Sequence, residues 1–468
     1  MPGHASWKVL YEEEYNQLFE EGYPVGKKLE RGGKEEYLPI QAEILKQIKV
    51  KDSTEDYWEE AYHKLWAVRE KGLRKDYPFH EPNDFSEITQ ETIVPELNPL
   101  DRETYSERIK GAWYGRCGAV VLGKPLEVGF SRKKIREYLE SVDAYPLNDW
   151  VPASSPRLNQ AVREDCIPST KGNVAYVQPD DDIQYTILAL MLFESKGDKF
   201  SALDVGTNWL DNIPYHWVWC SARQMYYHLV NSEVNNPTQE EVLQMVSTIN
   251  PWRECIDGQI RTDFWGYINP TDPLAAAKLA HQECVFGLVK NGLYGGMFVA
   301  GCIAGALSAH PTIDLILDCG MSVIPKTSRL YLAIENVRSW YEDAKDWEEV
   351  CEKIEGAYGH LPFAATINNI AIVVLALVHG KLDYEKTITT AVMCGIDTDC
   401  NSATAGSIVG AAIGYNNLGQ RFIAPLNDRV KTVIAGYGEG TITDLVRRTI
   451  VVRESRINGA DILKEEQQ

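Results

Sequence analysis

Two runs of carboxylates, each leading straight into an apolar helix, constrain this chain more than any other feature. The first is Pro179-Asp180-Asp181-Asp182-Ile183-Gln184-Tyr185-Thr186, followed by the apolar run from Ile187 to Phe193. The second is Gly395-Ile396-Asp397-Thr398-Asp399-Cys400-Asn401-Ser402, which opens a helix with Ala403, Gly406, Ser407 and Gly410 on one face. One Asp at a helix start suffices to cap orphan N–H groups and complement the macrodipole. Three in a row ahead of a buried helix repel unless a cation or solvent compensates. A face of small residues brings backbones together, so the Asp397/Asp399 end is expected inside the protein. If both runs serve one site, the gathered carboxylates need counterions. Oxygen donors of this kind suit Mg²⁺, Mn²⁺ or Ca²⁺ better than zinc.

A third segment, Gly111-Ala112-Trp113-Tyr114-Gly115-Arg116-Cys117-Gly118 through Gly123-Lys124-Pro125-Leu126-Glu127, contains a Walker-like Gly118-x4-Gly123-Lys124. Pro125 stands where a phosphate loop needs a hydroxyl for Mg²⁺, and the preceding residues read as helix rather than strand, so that reading is rejected. The glycines instead allow close helix packing, and Gly123–Pro125 is expected to form a tight exit that presents Glu127 to a cleft. The Asp397-x-Asp399 pattern also occurs in haloacid-dehalogenase phosphatases. There it follows a strand, whereas Ile388–Cys394 reads as helix. No histidine lies in any of the three segments, which argues against a zinc hydrolase.

Helical spacing recurs at Tyr105–Val121, Ile183–Lys196, Pro273–Val289, Met297–Ser308, Ser328–Ala344, Ile367–His379 and Ala403–Gly414, while alternating strand patterns are scarce. The reading is an all-α domain over 99–455 with a polar tail over 456–468. Residues 1–98 form a separate, mainly helical extension. It is rich in Glu, Lys, Tyr and Trp, with charge runs at Glu12-Glu13-Glu14 and Lys27-Lys28, helical spacing over Asp56–Lys71, and a connector punctuated by Pro78, Pro82, Pro95 and Pro99.

The formal charge of −20, from 47 Lys+Arg against 67 Asp+Glu, argues against a general nucleic-acid binder. The apolar stretches 292–309 and 363–378 are short for the roughly 20 residues of a membrane span. No secretory signal is evident at Met1–Trp7. The ten cysteines contain no Cys-x-x-Cys pair, and most sit in apolar surroundings, as reduced core thiols do. A reducing, cytoplasmic setting is expected.

Taken in order, the three segments resemble the ADP-ribosylglycohydrolase family, the group of dinitrogenase-reductase-activating glycohydrolase and ADP-ribosylarginine hydrolase, over about Tyr105 to Arg448. The family's glycine-rich opening ending in G-x-P-x-E matches at Gly115, Gly118, Gly123, Pro125 and Glu127. Its T-D-D-T-x-M segment falls on Asp180–Tyr185, and its D-x-D-T segment on Asp397–Cys400. The stretches Gln259–Tyr267 and Lys290–Gly295 fit a divergent bacterial subgroup. The resemblance implies an orthogonal helical bundle with a dinuclear Mg²⁺ or Mn²⁺ centre at the base of a cleft. By position, Asp181, Asp182, Asp397 and Asp399 are the implied metal ligands. Asp180 replaces a ligand threonine, and Cys400 replaces the last ligand with a soft thiol expected to coordinate weakly or not at all.

The implied activity is hydrolysis of a ribosyl N- or O-glycosidic bond through an oxocarbenium-like state. Glu127 is the candidate acid/base, with Asp182 its alternative among the site aspartates. Trp265, Tyr267 and Tyr294, with Asn291, are candidate substrate contacts, weighed against ordinary core packing. Many members carry a Thr/Ser-His pair where this chain has Gly287-Leu288. The substrate is therefore open between an ADP-ribosylated protein and a small ribosylated metabolite or nucleoside. The alternatives are a catalytically inactive, crystallin-like relative with a nucleotide-binding or structural role, and a two-metal phosphohydrolase.

Overall fold

The glycines of the glycine-rich helix meet the small residues of the second acidic helix backbone to backbone. In the computed structural model, which describes residues 5–25, 54–231 and 238–465, helix Arg102–Gly123 lies against helix Thr398–Ile413. A Cβ on Gly111 would sit 2.4 Å from the Gly410 carbonyl oxygen, and one on Gly115 would sit 2.4 Å from that of Gly406. Any larger residue would push the two axes apart. The Ser402 hydroxyl donates to the Ala119 carbonyl at 2.8 Å, tying the same faces together. Gly406 and Gly410 thus take the role expected of the small-residue face, while Ser407 turns instead to the Tyr267 hydroxyl at 2.7 Å.

The remaining helices surround this pair. Helices Asp181–Lys196, Asn291–Ala306, Thr366–Gly380 and Tyr384–Met393 are almost wholly buried, and with Arg102–Gly123 and Thr398–Ile413 they share one apolar core. Strand structure among the described residues is confined to two short hairpins, Ser154–Ser155 with Gln160–Ala161 and Val430–Lys431 with Glu439–Gly440. The second hairpin positions the first acidic run. Val177 donates to the Arg429 carbonyl at 2.9 Å and accepts from the Lys431 N–H at 3.0 Å, which anchors the chain just ahead of Asp180.

The N-terminal helices Trp7–Glu20 and Glu55–Trp66 pack on each other through Tyr11, Tyr15, Leu18, Ala61 and Leu65. They join the main body through Trp7, Leu10 and Tyr62, against which Ile249 and Trp252 pack, and through buried charge. Arg253 pairs with Glu14 at 2.9 Å and Glu21 at 2.6 Å, and Lys290 reaches Glu21 at 3.0 Å. Arg329 bridges Glu81 and Glu254 at 2.8 Å each. Arg253 and Lys290 hold the Glu21 carboxyl well below its usual range, against the opposing effect of burial. The Lys27-Lys28 run lies outside the described residues, and over the segment read as a polar tail helix Ile442–Glu465 continues past residue 456.

Candidate metal centre

Each acidic run is held at the mouth of its helix by the backbone. Asp180 caps helix Asp181–Lys196, its carboxylate accepting from the Asp182 N–H at 3.1 Å. Asp397 occupies the cap position of helix Thr398–Ile413 but makes no side-chain cap bond. Just before it, Gly395 and Ile396 both adopt positive φ, +78° and +59°. A β-branched residue in that region is strained by about 1–3 kcal/mol. The two residues reverse the chain after helix Tyr384–Met393 and turn Asp397 inward.

The two runs converge with the exit of the glycine helix. The ligand atoms of Asp180, Asp181 and Asp182 lie within 4.8 Å of one another, as do those of Asp182, Asp399 and Cys400, and those of Glu127, Asp397 and Asp399. Shared members make these one continuous acidic cluster. Gly123 is what permits the approach: a Cβ there would meet the Thr398 carbonyl oxygen at 2.3 Å and the Asp399 Cα at 2.5 Å. Beyond it, the short 3-10 turn Lys124–Leu126 delivers Glu127 to the wall of a cavity of about 770 Å³, together with Phe130, Arg132 and Asn368.

The electrostatics are those of buried carboxylates that outnumber the cations beside them. Burial, then Asp399 and Asp180, pushes Glu127 up to about 9. Burial, then Asp180 and Asp399, pushes Asp181 up to about 8. Asp182 and Asp397 are raised well above the usual carboxylate range, again by burial first. Asp182 Oδ2 and Asp397 Oδ1 are buried without a hydrogen-bond partner. Orphaned buried oxygens of this kind are costly unless something binds them. An all-oxygen donor set with unpartnered, inward carboxylate atoms fits hard divalent cations. Cys400 fits less well, because burial holds its thiol well above its ordinary value, with Asp182 and Asp397 adding to the effect.

Two cations at this centre escaped the sequence reading. Lys124 forms a close ion pair with Asp180. Arg116 lies completely buried beneath the cluster, donating to Asp182 Oδ1 at 3.1 Å, to the Asp182 carbonyl at 2.9 Å and to Asp263 Oδ1 at 2.9 Å. The signal for Arg116 was its place between Gly115 and Gly118. A charge inside a close-packed glycine face has nowhere to go but inward and must find partners there. Lys124 was weighed only as a phosphate-loop lysine, a role its position after a helix had already removed. Asn369 and Gln259 also support the floor, bonding Asn401 at 2.8 and 3.0 Å.

The structure does not bring the aromatic candidates to this cavity. Trp265 is buried, stacked on Phe200 with ring centroids 5.0 Å apart and bonded to Glu283. Tyr267 is buried against Trp113 and Ser407. Tyr294 bonds the Pro82 carbonyl, and Asn291 bonds Glu81 at 2.9 Å and the Leu330 N–H at 3.0 Å. Their spacing marked buried helix faces, and burial alone does not separate a site from a core.

A family model described as ADP-ribosylglycohydrolase matches residues 101–456. Among solved structures, one described as an "ADP-ribosylglycohydrolase-related protein complex" is similar at 14% sequence identity and a TM-score of 0.43, covering 75% of this chain and 99% of that one. No curated protein matches the chain.

Proposed function

The chain belongs to the ADP-ribosylglycohydrolase family, and from that premise we propose that it is a metal-dependent hydrolase of a ribosyl N- or O-glycosidic bond. The observation that supports this reading is the position of Glu127, which belongs both to the acidic cluster and to the wall of the adjoining cavity. Asp180, Asp181, Asp182, Asp397 and Asp399 would hold two Mg²⁺ or Mn²⁺ ions, with Cys400 outside the donor set. Such ions supply the missing positive charge and a Lewis-acid centre for sugar hydroxyls.

The chain's own groups then have separable tasks. Arg116 orients Asp182 by binding its Oδ1 and its carbonyl, leaving Oδ2 directed elsewhere. Lys124 holds the Asp180 carboxylate in place through a close ion pair. Glu127, in the cavity wall beside the cluster, is the acid/base, placed to exchange a proton with the attacking water or the leaving group. The remaining carboxylates stabilise positive charge developing at the ring carbon. No described helix is long and apolar enough to cross a membrane. All ten cysteines are free, and a reducing cytoplasmic setting completes the proposal.

The test is release of ribose or ADP-ribose from a panel of N- and O-ribosides by the full chain with Mg²⁺ or Mn²⁺. Asp397→Asn and Asp399→Asn should abolish both metal binding and turnover. Hydrolysis of a phosphate ester with no ribosyl cleavage would instead make it a two-metal phosphohydrolase. Nucleotide binding without turnover would make it an inactive relative.

A further inference from the structure

The acidic centre departs from an all-oxygen site at one atom, the sulfur of Cys400. The ligand atoms of Asp182, Asp399 and Cys400 lie within 4.8 Å of one another, and all three residues are buried. Cys400 sits in the first turn of helix Thr398–Ile413, the end at which the macrodipole favours negative charge. Its two oxygen neighbours are already aimed. The Cys400 N–H donates to Asp399 Oδ1 at 3.1 Å, which fixes one side chain against the other. Arg116 takes Asp182 Oδ1 at 3.1 Å, while Asp182 Oδ2 is buried with no hydrogen-bond partner among the described residues. An orphaned oxygen beside a thiol is satisfied by a cation that both can bind.

Hardness decides which cation that is. Carboxylates suit Mg²⁺ and Mn²⁺, whereas a thiolate selects softer ions such as zinc. Zinc takes carboxylate oxygens at about 2.0–2.2 Å and sulfur at about 2.3 Å, so small side-chain turns bring one ion to all three atoms. A water or a sugar hydroxyl completes its four ligands. A threonine or serine at this position would offer oxygen alone and make no such distinction. Among the described residues, no other cysteine joins two or more further ligand atoms at this spacing.

Resting on the metal-centre reading above, we propose that Asp182, Asp399 and Cys400 form a thiophilic subsite that takes Zn²⁺, or a cation of similar softness, in competition with Mg²⁺. Coordination exchanges the thiol proton, now directed at the Asp397 carboxylate, for the metal and passes it to solvent. Asp182 also belongs to the group with Asp180 and Asp181, and Asp399 to the group with Glu127 and Asp397. The captured ion therefore holds the two carboxylates that link the cluster, and the hard ions lose them. Zinc is on this view an inhibitor that enters through a residue peculiar to this chain.

Co²⁺ is the probe, because a cobalt–thiolate bond gives a near-ultraviolet charge-transfer band that cobalt held by carboxylates lacks. Titrating the chelator-treated full chain with Co²⁺ should produce the band, and added Zn²⁺ should remove it. Cys400→Ser and Cys400→Ala, each checked for an unchanged unfolding temperature, should abolish the band and weaken Zn²⁺ binding at least tenfold. Mg²⁺ affinity should change less than threefold in the same variants. No band in the unmutated chain, or a band unchanged in either variant, overturns the proposal. The first of these readings needs no variant to fold. Because the band is read without turnover, its absence is distinct from failure of the glycohydrolase reading, which would show as no ribosyl bond cleaved in the panel.

Discussion

The Thr398 hydroxyl donates to the Gly123 carbonyl at 2.8 Å, which locks the exit of the glycine-rich helix to the start of the second acidic helix. Two segments some 275 residues apart in sequence thereby fix Glu127 relative to Asp397 and Asp399. Gly123→Ala would place its Cβ 2.3 Å from the Thr398 carbonyl oxygen and 2.5 Å from the Asp399 Cα. Both neighbours are backbone and cannot rotate away. Overpacking of this kind costs about 1–3 kcal/mol. Thermal unfolding should show that loss, and Mg²⁺ titration should show affinity reduced by more than tenfold. Wild-type Mg²⁺ affinity in this variant would mean the close approach does not shape the site.

The metal-free protein should lose stability as pH rises. Glu127 and Asp181 have folded-state values raised to about 9 and about 8, from ordinary values of 4.5 and 3.8. Between those limits the folded state holds protons that the unfolded chain has released. Stability therefore falls with rising pH across that window and levels off above it. Mg²⁺ should stabilise most at the alkaline end, and its binding should release protons. Melting curves with and without chelator at pH 5.5 and 8.5 read this directly. A Mg²⁺ increment independent of pH would count against the buried acidic cluster.

Arg116 is worth more as a partner than as a charge. Arg116→Met would leave Asp182 and Asp263 uncompensated, and breaking a buried pair in this way typically costs about 3–5 kcal/mol. Chemical denaturation should reveal a loss of that order. Arg116→Lys should recover part of the stability but not the several bonds now made to the Asp182 side chain and carbonyl, because an ammonium lacks the planar fork. If both variants matched the wild type in stability and metal affinity, Arg116 would have no part in orienting Asp182.

The N-terminal helices should detach when their charge clamp is cut. Arg253→Met removes the partner of Glu14 and Glu21, both buried. Glu21 has a lowered folded-state value, so its contribution is fully present above its ordinary 4.5 and is lost progressively as pH falls from there toward the folded-state value. Limited proteolysis should cut the variant within 5–25 or 54–70 at neutral pH and cut the wild type there only in acid. Equal protection at neutral pH would show that the apolar contacts suffice.

Much of the architecture was legible before any coordinates. Helices expected at Ile183–Lys196, Ser328–Ala344 and Ile367–His379 occur as Asp181–Lys196, Arg329–Ala344 and Thr366–Gly380, since apolar spacing reports a buried helical face directly. The pairing of Gly111 and Gly115 with Gly410 and Gly406 was implicit in the two small-residue patterns, though not which helix would meet which. The aromatics of Gln259–Tyr267 carry the same spacing as core residues, and core is where Trp265 and Tyr267 lie.

By itself the sequence determined the all-helical class, the family, and the carboxylates that two helix starts would present, because capping chemistry and apolar period are local properties. Tertiary structure alone decided that those starts meet at Gly123, that Arg116 and Lys124 sit among them, and that Glu14 and Glu21 meet Arg253. Each of those facts depends on which distant groups are brought within a few ångströms, and on how burial there changes the cost of a charge. Neither quantity is written in the spacing of residues along the chain.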